Sequence, residues 1–118
     1  YLPHNYPVNS VVYTGTHDND TLMEWYGNLS KAAQRKVRRF LKKEGFCQGS
    51  VKHKLLAYTL RSNAGYAIIP AQDLLGLKKK GHMNTPGTVG SPNWEWRMPE
   101  FQKIEKELKK YKSMIVNR

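Results

Sequence analysis

Val11-Val12-Tyr13-Thr14-Gly15-Thr16-His17-Asp18-Asn19-Asp20 is an apolar, β-branched run that ends abruptly in a histidine and two carboxylates. Val11, Val12, Tyr13 and Thr14 favour an extended backbone, and Gly15 loosens the chain where the polar residues begin. A buried strand with a polar cluster at its carboxyl end is the arrangement from which an α/β barrel builds an active site. The stretch predicts a strand over Val11–Thr16 and a candidate site just beyond it.

Working outward, Asp20 or Thr21 can cap a short helix containing Leu22, Met23, Trp25 and Tyr26. Ser30 caps a longer one over about 30–44, where Ala33, Val37, Phe40 and Leu41 recur at spacings of three and four and Gly45 is a stop signal. Ser50 opens a helix over about 50–63, with Val51, Leu55, Tyr58 and Thr59 on one face. Tyr66-Ala67-Ile68-Ile69-Pro70 reads as a second strand, 66–70, and delivers Gln72 and Asp73 at its end, with a short helical turn at Leu74–Leu77. Residues 83–97 are rich in Gly, Pro, Asn and Trp and too irregular for an element. Phe101, Ile104, Leu108, Tyr111 and Ile115 then mark one amphipathic helix over about 99–115, started by Pro99. Strand, polar loop, helices, strand, polar loop, helix is the order of βα units on a parallel sheet, so the class is α/β. Both polar clusters follow a strand, which puts them on one rim.

The bulk properties bound the answer. With 118 residues, 39% hydrophobic, three Trp, seven Tyr and three Phe, the chain has apolar material for a core. No run approaches the ~20 apolar residues of a membrane helix, so no membrane partner is expected. Cys47 is the single cysteine, which excludes an internal disulfide and a metal-binding cysteine cluster and suggests a reducing, cytoplasmic setting. The first residues, Tyr1-Leu2-Pro3-His4-Asn5-Tyr6, read as the middle of a loop, and two strands neither close a barrel nor shield their edges. The chain is therefore expected to be part of a larger protein. Its net charge of +11 raises a nucleic-acid partner, but seven of the 20 basic residues lie in Lys31–Lys43 and five between Lys103 and Lys112, on segments with an apolar stripe. Those groups read as solvated helix faces, and no RNP-type or GXXG signature accompanies them.

From residue types alone, His17-Asp18-Asn19-Asp20 can be catalytic, sugar-binding, metal-binding or a capped turn. Asn19 and Asp20 are ordinary turn residues, whereas Asp18 stands first on the rim with His17 beside it. A carboxylate there stabilises positive charge or accepts hydrogen bonds from vicinal hydroxyls. No metal site is expected, because no second His/Asp/Glu cluster has ligand spacing and His4 and His53 show no partner pattern. Trp94 and Trp96, flanking Glu95, either plug a core or stack on a ligand, with core packing the default.

Three blocks then carry a resemblance. Leu2-Pro3-His4-Asn5-Tyr6 with Asn9 to Thr21, Ile69-Pro70-Ala71-Gln72-Asp73-Leu74-Leu75-Gly76-Leu77, and Met83-Asn84-Thr85-Pro86-Gly87-Thr88 with Asn93-Trp94-Glu95-Trp96-Arg97 together resemble the 4-α-glucanotransferases (amylomaltases or disproportionating enzymes, glycoside hydrolase family 77). The resemblance implies that residues 1–118 are the C-terminal segment of a catalytic (β/α)8 TIM barrel, about its last two βα units, with Val11–Thr16 as the seventh strand and Ala67–Pro70 as the eighth. It implies a retaining double displacement that moves an α-1,4-glucan segment between maltodextrins, without metal or organic cofactor. The nucleophilic Asp and the acid/base Glu of that family follow earlier strands, so the segment alone is expected to be inactive and, with apolar faces uncovered, to self-associate. What carries over is Asp18, the third carboxylate, with His17 and Asn84 as substrate-binding residues. His4, Asn5, Gln72 and Asp73 belong to matching motifs without an assigned role. Two competing readings are a basic module that binds nucleic acid or another polyanion through Lys31–Lys43 and Lys78–Lys80, and a related α-glucan hydrolase.

Overall fold

The computed structural model describes residues 2–118; Tyr1, which begins the predicted opening loop, lies outside the described residues. Strands β1 (Val11–Tyr13) and β2 (Tyr66–Ile68) pair in parallel, with Val11 opposite Tyr66, Val12 opposite Ala67 and Tyr13 opposite Ile68. Helices α1 (Leu22–Asn28), α2 (Lys31–Lys43) and α3 (Val51–Leu60) form the crossover that parallel strands require. Helix α4 (Ala71–Leu74) follows β2, and α5 (Phe101–Lys109) and α6 (Lys112–Val116) close the chain. The molecule is thus α/β.

Both strands are shorter than their apolar runs. Beyond Tyr13 the Thr14 hydroxyl turns away to a side-chain partner, and beyond Ile68 the chain enters α4, with Pro70 as its N-cap at φ −56°. That start places the short helix one turn earlier than Leu74–Leu77, and Gly76, at φ +70°, ends it. Register is held from the amino side. Gly65 N donates to Val8 O (2.7 Å), Tyr66 N to Ser10 O (3.3 Å) and Asn63 Nδ2 to the His4 carbonyl (2.5 Å). A 3-10 turn over Pro3–Asn5 presents that carbonyl, so the opening motif docks onto the entrance of β2 through backbone groups.

The strand period of two is visible in burial. Val12 is buried against the helices, whereas Val11, Tyr13, Tyr66 and Ile68 line an exposed apolar face. Helix starts follow the capping residues: the side chains of Thr21, Ser30 and Ser50 accept from the backbone N–H groups of Glu24, Ala33 and His53. Each such cap contributes about 1 kcal/mol. On α2, Leu41 is buried while Lys31, Arg35, Lys36, Arg38, Arg39, Lys42 and Lys43 are exposed, the solvated face that its stripe predicts.

The core gathers Leu22, Leu56, Leu60, Leu74, Ile104 and Tyr111, with Ala67 and Ile69 packed against it. It also explains a departure from the predicted helix over 99–115. That helix starts at Phe101 rather than Pro99 and breaks after Lys109, where Lys110 N and Tyr111 N bond to the carbonyls of Glu107 and Leu108. The break swings the Tyr111 ring into the core, stacked on His53 with centroids 4.9 Å apart. Phe101, Leu108 and Ile115, on the predicted stripe, stay exposed.

Among the described residues, the Tyr111 hydroxyl is buried without a partner. Burial, with Glu107 nearby, pushes the phenol from its ordinary value of 10.0 up to about 12. Unfolded chains ionise first, so the protein loses stability as pH rises from 10 to about 12. Tyr111→Phe is expected to stabilise the protein by about 1 kcal/mol at neutral pH. It should also flatten that alkaline loss, as denaturant midpoints measured across the range will report. Burial acts the same way on Glu107, but hydrogen bonds from Lys110 (2.8 Å) and Lys52 (2.9 Å) outweigh it and hold the carboxyl below its usual range.

Candidate active site

The loop after β1 is a compact turn. Asn19 Oδ1 accepts from both Thr16 N (2.8 Å) and Thr16 Oγ1 (2.9 Å), and Asn19 N returns a bond to the Thr16 carbonyl (3.2 Å). Asn19 is therefore a turn residue, and the two residues it encloses, His17 and Asp18, stand at the tip with about half of each side chain exposed.

Sixty-six residues further on, a strap over 82–95 lies against that tip. Its turn is self-bonded: Thr85 N donates to Asn93 Oδ1 (2.8 Å), Asn93 Nδ2 to Thr88 Oγ1 (2.9 Å) and Thr88 Oγ1 to Thr85 O (2.6 Å). Gly87 (φ +79°) and Gly90 (φ +86°) supply the left-handed positions. From this frame Asn84 Nδ2 donates to Asp18 Oδ1 at 2.7 Å, while His17 Nε2 lies 3.2 Å from Asp18 Oδ2. The structure thus brings Asp18, His17 and Asn84 into one cluster, with both oxygens of Asp18 engaged.

Trp94 joins them. Its ring centroid is 5.0 Å from that of His17, and its residue is 61% exposed, so this indole does not plug the core as the default reading of a tryptophan has it. Its backbone sits at φ 65°, a left-handed conformation that costs a bulky residue about 1–2 kcal/mol. Trp94 N offsets part of this by donating to Met83 O at 2.6 Å. An exposed aromatic plate beside a carboxylate, an amide and an imidazole suits a sugar, whose C–H faces stack while its hydroxyls bond. A cleft of about 210 Å³ opens alongside, lined by Gly15, Thr16, His17, Gln72, His82 and Met83 among others.

Asp73 lines that same cleft, on the rim that its place after β2 predicts, but its carboxylate is turned inward. It falls inside α4, 2% exposed, and accepts from Thr14 Oγ1 (2.5 Å) and Leu22 N (2.8 Å). Spacing also hides a trio: ligand atoms of Asp20, Glu24 and His82 lie within 4.8 Å of one another. Glu24 and His82 are hydrogen-bonded to each other, which ties α1 to the strap two residues before Asn84.

The family model described as 4-alpha-glucanotransferase matches residues 1–103. The chain belongs to the 4-alpha-glucanotransferase family. Among curated family members, the chloroplastic/amyloplastic 4-alpha-glucanotransferase of Arabidopsis thaliana is 40% identical over 119 residues, covering 98% of this chain and 20% of its own length. That of Thermus thermophilus is 40% identical over 103 residues, 83% of this chain and 20% of its own. The solved amylomaltase from Streptococcus agalactiae in complex with acarbose superposes with a TM-score of 0.83 at 30% identity, over 99% of this chain and 23% of that one. The chain thus spans about a fifth of the length of the curated relatives it matches.

Proposed function

We propose that residues 1–118 are the C-terminal segment of the catalytic (β/α)8 barrel of a 4-α-glucanotransferase, with β1 and β2 as its last two strands. Parallel βα units support this, as does the apolar face of Val11, Tyr13, Tyr66 and Ile68, which matches the residues that fill a barrel interior in layers. The observation that carries the function is the engagement of Asp18 by His17 and Asn84 at the carboxyl end of β1, beside the Trp94 plate.

In this reading the intact protein transfers α-1,4-glucan segments between maltodextrins by two displacements. A carboxylate on an earlier strand attacks the anomeric carbon while a carboxylic acid protonates the departing oxygen. An acceptor sugar hydroxyl then gives its proton to that same group, now a base, and displaces the enzyme carboxylate with retention. Asp18 touches the sugar at the cleavage subsite, holds its hydroxyls and favours the flattened, positively charged ring; His17 and Asn84 bind the same sugar. No cofactor enters these steps. The same reading sets the protein in the reducing cytoplasm, where an exposed thiol such as Cys47 stays free.

The test is disproportionation of maltotriose. The full-length protein is expected to release glucose and longer maltodextrins. The isolated 118-residue chain should release none and should sediment as an aggregate, since both reacting carboxyl groups lie upstream and its sheet face is uncovered. Product from the isolated chain would overturn the assignment of the reacting groups.

A further inference from the structure

Asp73 is a buried carboxylate that the steps above leave unused. It belongs to α4, on the unit that follows β2, yet both its oxygens serve the unit that follows β1. Thr14 Oγ1 donates to Oδ2 at 2.5 Å, and Leu22 N donates to Oδ1 at 2.8 Å. Thr14 is the residue after β1 and Leu22 is the first of α1, so these donors bracket the loop that carries His17 and Asp18. One side chain thereby clamps both ends of that loop. A second tie lies beside it, where Thr21 Oγ1 donates to Leu77 O at 2.6 Å.

The clamp has a firm base. Asp73 N donates to the Pro70 carbonyl at 3.0 Å, and its neighbour Leu74 is part of the core. Between the clamped ends, the Thr16–Asn19 bonds fold the loop on itself, so its tip has little freedom once the ends are placed. A carboxylate suits the position because it accepts twice and donates nothing. Leu22 N is also one of the first N–H groups of α1, which have no partner within their helix.

We propose that Asp73 is a positioning residue of the active site: it sets the placement of Asp18 by clamping Thr14 and Leu22, without touching the sugar. This rests on the functional reading above. A shift of about 1 Å in a reacting constellation costs about a hundredfold in rate, and the clamp controls distances on that scale.

Four variants of the full-length protein test it, each assayed with maltotriose for kcat and KM and for its melting temperature. Asp73→Leu keeps the branched shape, with slightly more bulk, and removes both acceptors; it should lower kcat about a hundredfold while KM moves less than about threefold. Thr14→Val removes one donor and leaves α4 intact; it should lower kcat about tenfold, and it decides the matter if Asp73→Leu does not fold. Asp73→Asn is the rescue. Its oxygen still accepts from Leu22 N and its amide donates to the Thr14 hydroxyl, so kcat should stay within about threefold of wild type. Wild-type kcat per folded enzyme in Asp73→Leu or Thr14→Val would overturn the proposal, and so would an Asp73→Asn as impaired as the leucine variant. Asp18→Asn, the fourth, separates the two failures. If it turns over normally, or if the wild type makes no glucose, the functional reading falls and takes the clamp with it. If it is inactive while Asp73→Leu and Thr14→Val are unaffected, only the clamp falls.

Discussion

Asp18→Asn in the full-length protein is expected to lower kcat/KM for maltotriose disproportionation by about a thousandfold, with the fold intact. Three losses combine. The negative charge disappears from a position that, in the proposed function, faces a ring turning cationic in the transition state. One acceptor oxygen becomes an amide donor, and both oxygens are in use: Oδ1 takes the Asn84 amide at 2.7 Å and Oδ2 lies 3.2 Å from His17 Nε2. Turned one way, the new amide sets a donor against the Asn84 amide; turned the other, it meets His17 Nε2 with a neutral donor in place of an anion. Stability should change little, because about half of the Asp18 side chain is exposed and its partners can turn to water. Steady-state kinetics beside a melting curve separate the two effects. A variant within tenfold of wild type would remove Asp18 from the chemistry.

Gly65→Ala in the full-length protein is the second large effect, and it acts on folding. A Cβ at Gly65 would lie 2.6 Å from the Val8 carbonyl oxygen, a backbone atom that cannot swing aside. The same carbonyl accepts from Gly65 N at 2.7 Å, so relieving the clash breaks the bond, and the neighbouring Tyr66 N–Ser10 O bond is disturbed with it. Overpacking against backbone and a lost backbone hydrogen bond together predict a destabilisation of about 2 kcal/mol, read as a lower denaturant midpoint at constant slope. Gly27→Ala is the contrast. It lies in α1 with none of the described residues within 4 Å of its added methyl, and the substitution should be neutral or stabilising by about 0.5 kcal/mol. Equal effects at the two glycines would refute the steric argument.

What could be read in the chain was local. The serine caps at Ser30 and Ser50 and the stop at Gly45 each depend on neighbours within four residues, and the structure follows them. The cluster of Asp18, His17 and Asn84 was reachable only through motif resemblance, since no spacing rule connects Asp18 to an amide 66 residues away. Other features depend on tertiary partners and left no local trace. Asp73 reads as a rim residue, and its burial there comes from partners 51 and 59 residues distant. The break between α5 and α6 follows from the pull of His53 and the core on Tyr111, which an intact apolar stripe conceals. Trp94 departs from the usual burial of large indoles because the strap's own bonds hold it outward in a conformation that its side chain disfavours.

The Asn84–Asp18 bond bears on selectivity. It holds Asp18 Oδ1 from one side at 2.7 Å, and a carboxylate oxygen accepts more than once, so a second lone pair stays open beside the amide. In the proposed function a sugar hydroxyl donates there while Asn84 stays in place. A ring with no hydroxyl at that point forfeits a charge-assisted bond, a loss of about 1–3 kcal/mol. Discrimination among sugars at the proposed subsite then follows from a carboxylate that Asn84 has already oriented.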